Sequence, residues 1–394
     1  MSERTQVAGE PAARHRAVRL RSPWLRGLAL ALGVHVLARG IGLALLALLA
    51  TTADQDPLTR LSVWDGGWYV RITEDGYADR LDLAVENTGS LGFFPLYPLL
   101  MRSAVAVTGL DTAIVGILIS EMAAAVAAVG LYVLAARLWS ARVGVALVLL
   151  WSTQPLSIVL SMVYTEALFS ALAIWALVLL HRRSWLGAGT LALLAGLSRS
   201  SGLGIGAAVA AYAVWLWWHG EQRDPRQIAG GLLALAGTPL WWLWVGNHVG
   251  RLDAWFYIQK NMWGSHWDWG HDVTELGLKL FTQEVRYGGD SGFVMTVTYI
   301  LLVLAVLLLL EAAALRMWWP LLVYAAVLLA LTIGAAGFVG AKPRFLIPIF
   351  PLLVPLAIAL AGARRRVQVV VGAVLMAASA WFGAFVLVVW GYSF

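Results

Sequence analysis

The chain contains no cysteine, and of its 28 basic residues only three are lysine. Without thiols, disulfides, iron–sulfur clusters and cysteine nucleophiles are excluded. Charge of either sign is also scarce. Asp, Glu, Lys and Arg make up 13% of the 394 residues, against about 25% in a soluble domain. With 60% hydrophobic residues and a mean hydropathy of +0.77, a water-soluble α/β enzyme is excluded. The net charge of +6 is not gathered on one polar module, so nucleic acid is not an expected partner. Basic residues instead fall at the ends of apolar runs, where they set orientation in a bilayer. The bias of arginine over lysine points to a GC-rich genome and a bacterial plasma membrane.

What is abundant is apolar sequence. Runs near 27–50, 111–136, 143–160, 165–181, 184–199, 201–218, 227–247, 293–315, 318–337, 345–361 and 367–390 predict an all-α polytopic membrane protein with about eleven transmembrane helices. The basic segment 1–26 reads as a cytoplasmic tail, and 27–392 as the integral membrane domain. The run after the tail is too long for a signal-peptide core, and no small-residue cleavage site follows it. PLYPLLMRSAVAVTG at 95–109 carries two prolines and Arg102, so it is expected to lie in the interface. Arg137, Arg142, Arg182, Arg183, Arg223, Arg226, Arg316 and Arg364–Arg366 then all face the cytoplasm with the N-terminus, as the positive-inside tendency requires. Two polar segments are left on the external side. The first is 51–110, which includes the interfacial helix; the second is 248–292. Both are dense in Trp and Tyr, which disordered segments avoid, and they read as folded caps, the second as a lid.

The first external segment carries WDGGWYVRITEDGY from Trp64 to Tyr77. One reading is a glycine turn with Trp64 and Trp68 in the aromatic belt. The other is a sugar site, where Trp64, Trp68 and Tyr69 stack on a pyranose and Asp65 takes a proton from an acceptor hydroxyl. Residue types alone leave both open.

The block WDGGWYVRITEDGY, followed by FFPLYPLL, resembles the mannosyltransferases that add the second mannose of glycosylphosphatidylinositol anchors, together with their prokaryotic relatives. The family's WDG-W-Y, GY and FFP-x-YP elements stand here as Trp64-Asp65-Gly66, Gly76-Tyr77, and Phe93-Phe94-Pro95 with Tyr97-Pro98. Further along, QPLSIVLSMVYTEALF resembles the family's P…Y-x-E-x-LF segment, giving Pro155, Tyr164 and Glu166. GLSRSSGL gives Arg199 and Gly202, FYIQKNMWG gives Gln259 and Trp263, and AKPRFLIPIFPL gives Pro343 and Arg344.

The resemblance implies the membrane-embedded type C glycosyltransferase fold. It also implies a polyprenyl-phosphate sugar donor, mannose in this family, a catalytic Asp65 in the first external loop and no cofactor. The acceptor expected is a glycolipid or lipid-linked hydroxyl, and enzymes of this kind can work with a partner subunit. Phosphate is a good leaving group, so one carboxylate suffices for an inverting displacement, unlike glycoside hydrolysis with its two. Positive charge must hold the phosphate as its own charge grows, and the arginine fork suits that task. Arg199 and Arg344, at external helix ends against the positive-inside bias, are the expected donor-phosphate ligands, with Lys342 as a helper. Tyr164, Glu166, Gln259 and Trp263 are expected beside the substrates.

In the second external segment, His266, Asp268, His271 and Asp272 lack helical two-histidine metal spacing, so no metal is assigned. Trp255, Trp263, Trp267 and Trp269 are expected to form an aromatic lid. Arg39 and Glu121 fall inside apolar runs, about 18 Å from the inner face and about 15 Å from the outer face, so a structural pair at the midplane is expected, with His35 one turn away. A rival reading, a lipid or sugar transporter or flippase, predicts an inverted repeat with matching broken helices, and none is visible. A non-catalytic subunit would tolerate replacement of Asp65.

Overall fold

The computed structural model describes residues 12–220, 223–282 and 290–390. The start of the basic tail and the stretch 283–289 of the second external segment lie outside the described residues. Among those described, the chain is helical and has no strand, with one isolated bridge between Trp267 and Ala335. The helices are α1 (Ala12–Thr52), α2 (Pro57–Arg60), α3 (Asp65–Asp75), α4 (Leu96–Thr108), α5 (Thr112–Leu138), α6 (Ala141–Ser152), α7 (Glu166–His181), α8 (Trp185–Gly196), α9 (Gly202–His219), α10 (Pro225–Val249), α11 (Ala254–Trp263), α12 (His271–Thr282), α13 (Asp290–Ala314), α14 (Trp319–Gly334), α15 (Lys342–Phe345), α16 (Val354–Gly362) and α17 (Arg365–Val388).

Each of the eleven apolar runs carries a helix. Five are long and apolar enough to cross a membrane, and up to seven crossings result if each sharply bent pair is one span. Among the remaining apolar helices, α6 and α8 have 12 residues, and α7 and α14 have 16. At 1.5 Å per residue these reach about 18–24 Å, short of a core about 30 Å thick. Their truncated ends have a common location. α6 stops before the connection 153–165, α7 starts after it, α8 stops just before Arg199, and α14 stops before the segment holding Arg344. The spans are cut back where the polar groups gather.

Local sequence explains where helices begin and end. Asp111 caps α5 by accepting from the N–H groups of Ala113 (2.9 Å) and Ile114 (3.1 Å). Asp224 caps α10, with Pro225 in its first turn. α4 has 13 residues, bends 105° from the preceding 3-10 turn Glu86–Gly92, and leaves Leu99, Leu100 and Val107 exposed while burying Tyr97 and Met101. At about 20 Å it is too short to cross alone, in keeping with an interfacial helix.

α8, α9 and α10 pack against one another through small residues. A Cβ on Gly237 would come 2.1 Å from the Leu193 carbonyl oxygen, and one on Gly189 2.4 Å from that of Gly230. Close backbone approach of this kind is how helices associate where no hydrophobic force separates protein from lipid. α5 packs on α6 and α7, and α1 on α6 and α17.

Arg39 and Glu121 make no direct ion pair; Arg39 lies within Coulombic reach of Glu121 but takes its hydrogen bonds elsewhere. Arg39 is buried and donates to the Ser157 carbonyl, to the Ser152 carbonyl (2.8 Å) and to Ser157 Oγ (2.6 Å). His35 Nδ1 contacts Ser152 Oγ at 2.8 Å, and Ser157 Oγ meets Ser379 Oγ on α17 at 2.8 Å. The break after α6 frees carbonyls inside the apolar region, where an unsatisfied one is costly. Arg39 satisfies them and so joins α1, α6 and α17. One oxygen of Glu121 is buried without a hydrogen-bond donor.

Candidate active site

The site is built where the segment 51–110 meets the two breaks in the bundle. Trp64 takes φ 54°, a left-handed conformation that costs a bulky residue about 1–3 kcal/mol. Its ring is partly buried against the main core, which fixes this turn. The next residue, Asp65, opens α3, where the helix dipole favours an anion. The turn is tied to the connection before α7 by a hydrogen bond from Val163 N–H to the Leu61 carbonyl (2.9 Å). Gly66 is buried over that connection: a Cβ there would sit 3.4 Å from the Val163 carbonyl oxygen.

Four charged side chains from separate parts of the chain converge here. Arg344 Nη2 lies 2.6 Å from Asp65 Oδ2, and Arg344 Nε lies 3.7 Å from Glu166 Oε1. Glu166 Oε1 is in turn 2.5 Å from Arg199 Nη1, which also donates to Thr165 Oγ1 at 3.0 Å. The formal charges of the four sum to zero. Glu166 is fully buried, the side chains of Arg344 and Arg199 are 10% and 15% exposed, and Asp65 is the accessible end at 29%. Arg344 Nε and Nη1 have no hydrogen-bond acceptor, and neither oxygen of Glu166 receives a directed hydrogen bond. Both contacts of Glu166 are therefore ionic contacts rather than aligned hydrogen bonds. The Phe345 ring lies under both guanidinium carbons, 5.0 Å from that of Arg344 and 5.4 Å from that of Arg199.

Chemically, the cluster offers one reachable carboxylate that can accept a proton, paired with an arginine whose two unpartnered donors are buried. The second arginine is held beside it.

Several expected residues take other roles. Tyr69 is buried, edge-on to Phe93 and Tyr97, with its hydroxyl directed to Thr165 Oγ1 at 3.5 Å, so it packs rather than stacking on substrate. Tyr164 is buried as well, and its ring lies 5.1 Å from the Arg344 guanidinium, a cation–π platform rather than a substrate contact. Glu166, with no exposed surface, does not touch an acceptor hydroxyl directly. Lys342 does not join the arginines: its ammonium binds the carbonyls of Thr332 (2.7 Å) and Ala335 (2.5 Å) at the end of α14. A cation there satisfies orphan carbonyls at the negative end of the dipole.

Trp68, Gln259 and Trp263 form a second cluster, which joins the segments 51–110 and 248–292. Trp68 stacks on Phe93 and meets Trp263 edge-on, at centroid distances of 5.6 and 5.5 Å. Gln259 Nε2 and Trp255 Nε1 both donate to the Gly92 carbonyl, at 3.1 and 3.2 Å. A Cβ on Gly89 would come 2.8 Å from the Trp68 ring, and one on Gly92 3.0 Å from Gln259 Nε2. Of the other tryptophans in 248–292, Trp267 is 46% and Trp269 86% exposed.

Asp268 caps α12 by accepting from Gly270 N–H and Asp272 N–H, both at 2.8 Å. Burial pushes its carboxyl pKa up, but those backbone donors, with Lys342 and His266, outweigh burial and leave it below the ordinary carboxylate value. His271, Asp272 and Glu275 each bring one potential ligand atom within 4.8 Å of the others. Asp272 accepts from Gly337 N–H at 3.1 Å and Glu275 pairs with Lys279 at 2.7 Å, which occupies two of the three.

Sequence reading missed Phe345 and Thr165. Phe345 stands in the quoted AKPRFLIPIFPL block, so the signal for it was present. Thr165 adjoins Glu166 but carries no motif of its own.

These features define an all-helical, polytopic integral membrane protein with a mostly buried two-carboxylate, two-arginine centre at the broken ends of its spans. No protein-family model matches the chain, and no curated protein matches it. Among solved structures it is similar to the oligosaccharyltransferase of Archaeoglobus fulgidus in complex with zinc and sulfate, with a TM-score of 0.49 and 14% identity over 90% of this chain and 52% of that one. The apo form of the same enzyme matches with TM-score 0.49 and 14% identity over 91% and 55%. The archaeal oligosaccharyltransferase AglB from that organism, in complex with an inhibitory peptide and a dolichol-phosphate, gives the same figures. The chain thus spans about half the length of these proteins, and the functional reading below rests on its own residues.

Proposed function

We propose that the protein is an inverting type C glycosyltransferase that moves mannose from a polyprenyl-phosphate-mannose donor to the hydroxyl of a glycolipid or lipid-linked acceptor. The reaction is placed on the external face of the membrane, with the N-terminus cytoplasmic. The observation that carries this reading is the convergence of Asp65, Glu166, Arg199 and Arg344, which come from three separate motif blocks besides WDG, in a single ionic cluster.

In the step proposed, the acceptor hydroxyl gives its proton to the Asp65 carboxylate while its oxygen bonds to the anomeric carbon. The bond from that carbon to the phosphate oxygen breaks, and the lipid leaves as polyprenyl phosphate with one more negative charge. Arg344, which reaches the accessible end of the cluster through its contact with Asp65, and Arg199 beside it are the cations suited to answer that growing charge. Trp64 and Trp68, each partly exposed, flank Asp65 in sequence; the Trp68 ring is already stacked on Phe93 and covered by Arg71, so it frames the site.

The reading is tested by transfer from radiolabelled polyprenyl-phosphate-mannose in membranes containing purified protein and crude lipid acceptor. Loss of a general base costs about 10²–10⁴-fold, so transfer by the wild type and its near-absence in a folded Asp65→Asn variant is the expected result. Undiminished transfer by Asp65→Asn would assign the base elsewhere. Failure of the wild type with this donor, together with labelled-lipid uptake, would favour a transporter.

A further inference from the structure

The least accessible member of the cluster is the one that determines its geometry. Glu166 has no exposed surface, whereas Asp65 at the other end is open. A fully buried carboxylate is normally paired or neutral, and this one contacts two arginines at once, Arg199 at 2.5 Å and Arg344 at 3.7 Å. Those arginines carry like charges and lie over one Phe345 ring. Two guanidinium groups do not share so small a space unless an anion lies between or behind them. Glu166 is that anion. As the first residue of α7, its backbone position is fixed by a 16-residue helix, and it adds negative charge at the helix N-terminus.

On the reading of the site as a donor-phosphate centre, we infer that Glu166 is a positioning residue. It holds Arg199 beside Arg344 so that the departing phosphate meets two guanidinium groups instead of one. Glu166 touches neither sugar nor phosphate; it acts through Arg199, its close partner at 2.5 Å. The consequence is selective. In the bound donor the phosphate diester carries one negative charge, and Arg344 alone can answer it. In the departing lipid phosphate it carries two, and the second arginine matters most there. Removing Glu166 therefore lowers kcat far more than it raises KM, because an interaction made mainly in the transition state is lost.

The experiment is a double-mutant cycle in which donor KM and kcat are measured with polyprenyl-phosphate-mannose for wild type, Glu166→Gln, Arg199→Gln and the double variant. Thermal unfolding is followed in parallel, and Glu166→Asp serves as the conservative variant. Glu166→Gln is expected to lose about 10–100-fold in kcat with KM within about threefold of wild type, the loss of one or two charge-assisted contacts. The double variant should fall within about threefold of Arg199→Gln alone, since Glu166 works through that side chain. Glu166→Asp should recover part of the rate.

Multiplicative losses in the cycle would overturn the inference while leaving the transferase reading in place. So would a loss confined to KM, or a loss that merely tracks a lowered Tm with no recovery in Glu166→Asp. A wild type that turns over no lipid-phosphate sugar and binds polyprenyl phosphate no better than neutral polyprenol would remove the underlying reading, and the inference with it.

Discussion

Removing the proposed base should make the protein bind its product more tightly. Arg344 is engaged to Asp65 at 2.6 Å, with the arginine side chain 10% and the acid 29% exposed. A lipid phosphate arriving at Arg344 must displace that carboxylate or share the guanidinium with it, and it also meets the carboxylate's charge. Asp65→Asn removes the competing charge and leaves a weaker, neutral acceptor of similar shape. A hydrogen bond to a charged group contributes about 1.5–3 kcal/mol net. Because Asp65 is partly hydrated, the lower end applies, and about 1.4 kcal/mol corresponds to tenfold in affinity. The assay is binding of polyprenyl phosphate in nanodiscs, by calorimetry or native mass spectrometry, with polyprenol as the uncharged control. The expected result is about tenfold tighter binding of the phosphate by Asp65→Asn, no change for polyprenol, and transfer reduced by two orders of magnitude or more. A folded Asp65→Asn that binds the phosphate equally or less well would refute the idea that phosphate and Asp65 compete for Arg344. The same competition predicts that the donor binds before the acceptor, because Asp65 is free to take a proton only after the phosphate has drawn Arg344 away.

Other consequences can be checked one by one. Arg344→Lys keeps the charge but loses the fork, and transfer should drop at least tenfold with little change in Tm. Arg39→Leu orphans the Ser152 and Ser157 carbonyls; at about 1–3 kcal/mol per unsatisfied buried group, it should lower thermal stability strongly, with any surviving folded protein still active. Gly89→Ala puts a methyl 2.8 Å from the Trp68 ring, and overpacking of about 1–3 kcal/mol should loosen the seam between the external segments, read as faster proteolysis of the second. Asp268→Ala should cost α12 about 1 kcal/mol of capping. With the folded pKa of Asp268 depressed, its contribution is complete above the unfolded value near 3.9 and is lost as pH falls through the lower folded value. Tryptophan fluorescence should therefore report release of the segment only in strong acid, and the variant should lack that transition.

The apolar runs and the interfacial break were legible because hydropathy and charge asymmetry act locally. The four-residue centre was legible through motif blocks, each weak alone, whose common destination is a property of the fold. The division of labour among cations was not. Lys342, two residues from Arg344, and Arg39, deep in α1, carry the same charge as the site arginines. Their partners are carbonyls exposed where α14 and α6 stop, and nothing in an apolar run marks which turn will break. Tyr69 and Tyr164 were misread for a related reason. A tyrosine beside an acidic residue has the same signature whether its ring faces substrate or core, and only the packing of Phe93, Tyr97 and Arg344 around them separates the two.

The zero charge sum of the Asp65–Arg344–Glu166–Arg199 cluster has a bearing on bioenergetics. Work done by a transmembrane voltage scales with the net charge displaced, about 2.3 kcal/mol per elementary charge per 100 mV. Moved as a unit, the four side chains cancel and the voltage does almost no work on them; only the separation of Arg344 from Asp65 along the membrane normal couples to it. For a transferase of the kind proposed, any difference in turnover between energised and de-energised vesicles would therefore measure how far Asp65 and Arg344 part along the membrane normal.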